Sequence, residues 1–153
     1  MLPAPEAERS RHAVKRALAA LDWQEIVTFG FVSSEVERAL DPQAVPVKVQ
    51  NPIAAHLDVM RTSLLPGLIG TLQTNVNRKA ARVRVFEVGR VFMRADGVAT
   101  TDATVKGIHQ PMRVAALAWG DAEGSRWQAK AQGTDFFDVR GDVEALLFRI
   151  DLG

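Results

Sequence analysis

The sequence predicts an α+β domain in which a mostly antiparallel sheet is flanked by helices, and three patterns carry that expectation. Apolar residues recur at helical spacing in two separate places, Val14, Ala17, Leu18 and Leu21, then Leu65, Leu68, Ile69, Leu72 and Val76. Segment 82–94 (RVRVFEVGRVFMR) alternates Val83 and Val85, then Phe86 and Val88, as a strand does. Long polar connections separate that strand from the apolar runs after it, which favours antiparallel neighbours.

Taken in order, Pro3 and Pro5 mark residues 1–5 as a linker, and a single domain, truncated at its C-terminal end, is expected over 6–153. The first stripe predicts a helix over 6–22, with Arg11, Lys15 and Arg16 on its wet face. Residues 25–32 are rich in β-branched and aromatic side chains and read as a buried strand. Ser33 or Ser34 offers an N-cap for a short helix to Leu40, with Glu37 completing a capping box after Ser34. Asp41-Pro42 ends that helix, and Val45, Val47 and Val49 alternate as a short strand that Pro46 confines to a sheet edge. Asn51-Pro52 is a turn. Thr62 or Ser63 is expected to cap the second long helix, which tolerates Pro66 in its first turn.

Strand 82–94 is expected to bulge at Gly89. A polar loop over 95–110, a strand over 112–119 and a loop over 120–133 holding Trp127 come next. DFFDV at 135–139 reads as a last short strand, before a helical stripe of Val143, Leu146, Leu147 and Ile150.

Composition narrows function mainly by exclusion. Nineteen basic against eighteen acidic residues leave a formal charge of +1, so no global field points to nucleic acid or to an acidic partner. The chain has no cysteine, which removes disulfides, thiol nucleophiles and thiolate metal sites and accords with a reducing cytoplasm. Its apolar runs are far shorter than the roughly 20 residues of a membrane-spanning helix, and its charged start does not resemble a secretion signal.

Standard catalytic signatures are missing: there is no G-x-S-x-G turn and no glycine-rich phosphate loop. His12, His56 and His109 lack metal-ligand spacing and read as surface or packing residues. Asp135, Asp138, Asp142 and Glu144 cluster, and caps or dipole partners are favoured over a metal site. The run 77–84 carries Arg78, Lys79, Arg82 and Arg84 without an acid, enough for a few RNA phosphate contacts. The favoured alternative, since overall charge is balanced and no aromatic residue is interleaved for stacking, is a solvated helix end and strand face.

Three segments together resemble a known family. LDWQEIVTF at 21–29 looks like motif 1 of the class II aminoacyl-tRNA synthetases, with Trp23 in the aromatic place and Ile26 in the aliphatic one. Asp22 stands where that motif has glycine, and Phe29 where it has proline. NPIAAHLDVMRTSLLPGLIGTLQTNVNR at 51–78, VRVFEVGRVF at 83–92 and DFFDVRGDVEALL at 135–147 are similar to the phenylalanyl-tRNA synthetase β subunit, so the resemblance spans most of 21–147. It implies a class II core-like fold. In motif 2 a Phe-Arg-x-Glu sequence supplies the arginine that binds the ATP α-phosphate, and the matching positions are Phe92, Met93, Arg94 and Ala95. Met93 cannot donate to a phosphate, Ala95 has no carboxylate, and Arg94 is one position out of register, hence on the opposite face of a strand. Loss of one such donor typically costs about 2–4 kcal/mol of transition-state stabilisation. Motif 3 has no match.

The resemblance therefore implies a domain with no catalytic, cofactor or metal residues of its own. ATP and Mg serve the whole enzyme, an (αβ)2 assembly whose α subunit activates phenylalanine and which engages tRNA-Phe in the cytoplasm. Motif 1 is a dimerisation element in that class, so Val14, Ala17, Leu18, Leu21 and Trp23 are candidate subunit-interface residues, and burial within their own domain is an equal alternative. Two rival functions remain open. One is an RNA-binding module built on 77–84; the other is a free-standing adenylating enzyme using Arg61, Arg90 or Arg94.

Overall fold

A computed structural model describes residues 10–122 and 132–151. The expected linker, the first residues of the expected first helix, Trp127 and the last two residues lie outside that range.

Helix α1 (Arg11–Ala20) starts at Ser10, whose side-chain oxygen accepts the Ala13 N–H. It stops where Asp22 takes a φ of 65°, turning the chain into β1 (Gln24–Glu25). That short strand pairs in parallel with β4 (Arg82–Arg90), Gln24 opposite Val85 and Glu25 opposite Phe86.

The expected single buried strand over 25–32 is broken in two. After the Ile26 N–H donates to the Phe86 carbonyl (2.8 Å), the chain leaves the ladder and resumes pairing only at β2 (Phe31–Val32), antiparallel to β3 (Val59–Met60). Between them Ile26 and Thr28 turn inward, while Val27 (85% exposed) and Phe29 (71% exposed) face solvent. The β-prone residues do keep an extended chain, but only one of its faces is covered.

Helix α2 (Ser34–Leu40) is capped by Ser33, whose side chain accepts the Glu35 N–H. The expected capping box does not form, because Glu37 is buried and points across to Thr62, accepting its N–H (3.0 Å) and its hydroxyl. The expected strand at 45–49 shrinks to a bridge between Lys48 and Val59, flanked by bonds from Val49 N–H to the Asp58 carbonyl and from Met60 N–H to the Val47 carbonyl. Pro46 has no N–H to extend it, and the segment lies at an edge. Helix α3 (Leu65–Asn77) begins after Leu64 without a side-chain cap. Thr62, one of the two expected caps, has given its hydroxyl to Glu37, and Ser63 reaches the Leu65 N–H only at 3.4 Å.

Strand β4 pairs antiparallel with β7 (Met112–Gly120) without interruption, from Arg82 opposite Gly120 to Arg90 opposite Met112. Gly89 therefore sits in regular register and not in a bulge; its lack of a side chain makes room for the Arg61 guanidinium, which a Cβ would strike. The expected long strand ends at Arg90, and β5 (Met93–Arg94) joins a separate hairpin with β6 (Ile108–His109), which lies inside the expected loop. The last correction is the largest. DFFDV opens helix α4 (Phe136–Asp151) in place of a strand: Asp135 Oδ1 accepts from the N–H groups of Phe137 and Asp138, and Asp138 Oδ2 accepts from the Asp135 N–H. This reciprocal box outweighs the β-propensity of Phe136 and Phe137.

The sheet β1-β4-β7 is covered on both sides. On one side Leu64, just before α3, and Leu68 within it pack against Val83, Val85 and Val91, with Leu72, Ala115 and Leu117 at the margin. On the other, Leu18 and Trp23 pack on Phe86, helped by Val14, Leu21, Val88, Ala118 and, from α4, Leu146. Val143, Leu147 and Phe148 of α4 remain exposed. No helix among the described residues is long and apolar enough to cross a membrane.

Candidate functional site

Alternation along β4 places one charged residue against each layer of the sandwich. On the α3 side, Glu87 (2% exposed) accepts from Arg61 Nη1 at 2.7 Å, from the Thr28 hydroxyl at 2.7 Å and from the Thr28 N–H at 3.3 Å. Arg61 (5% exposed) also donates through Nε to the Arg90 carbonyl (2.9 Å) and through Nη1 to Thr28 Oγ1 (3.0 Å). Two bare positions let these groups close together, since a Cβ on Gly89 would collide with Arg61 and one on Gly67 with Thr28. The network fixes segment 26–30 between two sheets, with Val27 and Phe29 displayed outward.

On the opposite side, Arg84 lies over the Trp23 ring, 4.3 Å from its centroid, and pairs with Asp142 of α4. The Trp23 Nε1–H donates to the same carboxylate (3.2 Å). One strand, one loop and one helix are thus joined through a single oxygen.

Met93 and Arg94, at the positions matching motif 2, lie beyond the end of β4, beside the packed sheet and not on it. They line a groove of about 610 Å³ with Leu40, Asp41, Ala44, Val45, Thr62, Ser63 and Leu65. A smaller hollow of about 260 Å³ adjoins it, sharing Ala44, Val45 and Arg94, and adds Ser34, Arg38 and Lys48. The Ser34 N–H donates to Asp58 Oδ1 (2.9 Å), and this bond, together with the Ser34 side chain and the Lys48 charge, holds the Asp58 carboxyl below its ordinary value.

The candidate residues fare differently. Of the interface stripe, Leu18 and Trp23 are buried in the chain's own core, and Val14, Ala17 and Leu21 are half-buried, so the structure shows the intramolecular packing. Of the four cations considered for RNA, Arg82 pairs with Asp22 (2.8 Å) and donates to the Asp121 and Ala122 carbonyls, and Arg84 is committed to Asp142 and Trp23. Arg78 and Lys79 stay exposed at the end of α3, Lys79 with a φ of 65°. Of the cations offered to an adenylating enzyme, Arg61 is bound to Glu87 and Arg90 donates to the Gln110 carbonyl (2.9 Å), which leaves Arg94. The clustered carboxylates are divided among separate tasks: Asp135 and Asp138 cap α4, Asp142 holds Arg84, and Glu144 pairs with Arg140 one turn away. His12, His56 and His109 are all exposed.

Sequence reasoning missed Glu37 and Glu87 as buried anchors, and Val27 and Phe29 as displayed residues. Local pattern gives no signal for the displayed pair, because alternation would turn apolar Val27 and Phe29, and not polar Thr28, toward the core.

Comparison with known proteins narrows the reading. Pyrrolysyl-tRNA synthetase structures from Desulfitobacterium hafniense share the fold, with TM-scores of 0.55 and 0.58 over 91% of this chain and 42% and 43% of theirs. At 14% and 12% identity they speak to fold alone, a class II synthetase core. The phenylalanine–tRNA ligase β subunits of Cupriavidus pinatubonensis and Ralstonia nicotianae are 49% and 47% identical over 97% of the chain. The chain spans 18% of the length of each. The family described as the phenylalanyl-tRNA synthetase beta chain CLM domain matches residues 2–152, and the chain belongs to it.

Proposed function

We propose that this domain is a non-catalytic, core-like support through which a phenylalanine–tRNA ligase β subunit holds its catalytic α partner in an (αβ)2 assembly, in the cytoplasm, for aminoacylation of tRNA-Phe. ATP and magnesium are then requirements of the assembled enzyme, met outside this chain. The observation that carries the reading is the motif 2 position. Met93 and Ala95 stand where an arginine and a glutamate would handle ATP, and the sheet beside them is filled on both faces by α1, α3 and α4. Phosphoryl chemistry depends on cations and donors preorganised around the developing charge. Of the three arginines considered for that task, two are bound elsewhere in the domain.

The surface best suited to the partner is segment 26–30. Exposed apolar side chains on a chain pinned from beneath are pre-ordered for association, because little entropy remains to be lost on binding. Leu18 and Trp23 act from below by setting α1 against the sheet. The test is co-expression of the α subunit with a β subunit carrying Val27→Asp and Phe29→Asp. Heterotetramer recovery is expected to fall at least about tenfold, each fully desolvated anchor being worth upwards of about 1–2 kcal/mol. The melting temperature of the domain should stay unchanged. Undiminished assembly would remove this surface from the proposal.

A further inference from the structure

The molecule also carries a cationic hollow that the scaffold role does not use. Arg38 on α2, Lys48 on the edge segment and Arg94 on β5 come from three separate elements and line one hollow of about 260 Å³. Its remaining lining is Ser34, Pro42, Ala44, Val45, Pro46 and Val59, with no carboxylate among them. None of the three cations is in an ion pair with a carboxylate among the described residues. Glu35 lies one turn before Arg38 on α2, and two further acids near the hollow are engaged in hydrogen bonds. Asp58 is held by the N–H and side chain of Ser34 and feels Lys48, while Asp41 lines the adjoining groove and accepts the Gln43 N–H (3.0 Å).

Three like charges converging on one concavity repel one another in the empty state, and a bound oxyanion relieves that repulsion. Arginine adds paired donors suited to phosphate, which makes phosphate a better fit than a monodentate anion. We infer that the hollow between Arg38, Lys48 and Arg94 binds a phosphate group. The adjoining groove, with Leu40, Leu65 and Met93 beside the Thr62 and Ser63 hydroxyls, leaves room for whatever body the phosphate is attached to.

The test is titration of the chain, at low salt, with inorganic phosphate and with a short single-stranded oligoribonucleotide, read by isothermal calorimetry and by amide shifts at Arg38, Lys48 and Arg94. Arg38→Ala and Arg94→Ala should each weaken binding about tenfold, as expected for loss of a charge-assisted contact. Arg94→Lys should retain part of it. Arg78→Ala with Lys79→Ala, a pair of exposed cations on another element, should leave binding unchanged. Saturation by inorganic phosphate alone identifies a free phosphate or monoester as the ligand, and tighter oligoribonucleotide binding with the same sensitivity to Arg94 identifies a phosphodiester. No shifts at these residues with either probe would overturn the assignment, as would equal weakening by the Arg78 and Lys79 substitutions, which would mark only diffuse attraction. All the substituted side chains are exposed, and far-UV circular dichroism confirms that each variant is folded.

Discussion

Glu87→Ala perturbs the buried carboxylate that ties Thr28 and Arg61 to β4. Its carboxylate takes Arg61 and both the hydroxyl and the N–H of Thr28, at 2% exposure. Truncation leaves the Arg61 guanidinium buried with only neutral acceptors, the Arg90 carbonyl and Thr28 Oγ1. Breaking a buried pair by removing one partner costs about 3–5 kcal/mol, a large share of the roughly 5–15 kcal/mol that holds a typical domain together. At about 2–4 °C per kcal/mol for a chain of this size, the melting temperature falls by roughly 6–20 °C. Urea denaturation should show the midpoint moving down with an unchanged slope. Arg61→Ala should do similar damage, and the double variant should be far less harmful than the sum of the singles, with a coupling of about 1–3 kcal/mol. A Glu87→Ala protein within about 0.5 kcal/mol of wild type, or single effects that simply add, would refute the idea of one cooperative staple.

Two further outcomes follow from the same geometry. Gly89→Ala should destabilise the domain by about 1–3 kcal/mol in chemical denaturation, because the added methyl meets Arg61, Glu87 and Leu64 at once. The Asp58 carboxyl is lowered in the folded state, chiefly by the Ser34 N–H and then by the Ser34 side chain, from an ordinary value of 3.8. The unfolded chain then binds the extra proton first as pH falls, so this stabilisation is complete above 3.8 and is lost as pH drops through the folded value. Asp58→Asn should accordingly flatten that part of the acid limb of a stability profile and leave a shallower decline.

The periodic parts of the fold were legible in the sequence because their signals are local. Helical stripes placed α1 and α3, alternation placed β4, and the apolar run after the polar loop placed β7, to within a few residues. What escaped depends on partners far along the chain. Glu37 resembled half of a capping box and instead holds Thr62, 25 positions away; Glu87 resembled the polar side of a strand and instead binds Thr28, 59 positions away. Phe136 and Phe137 read as strand residues by aromatic propensity, and the two aspartates three apart, favoured as caps, start a helix at that point instead. At the site, Met93 and Ala95 could be read from motif position alone, since what matters there is which functional groups a side chain lacks. Val27 and Phe29 could not, because an apolar residue on a strand looks the same whether its face is covered or bare.

Phenylalanine-dependent ATP–pyrophosphate exchange by the purified chain, without an α subunit, bears most directly on the claim that this core-like domain performs no activation. No exchange above the protein-free blank is expected of the chain. Exchange by the chain alone that disappears with Arg94→Ala would contradict the account.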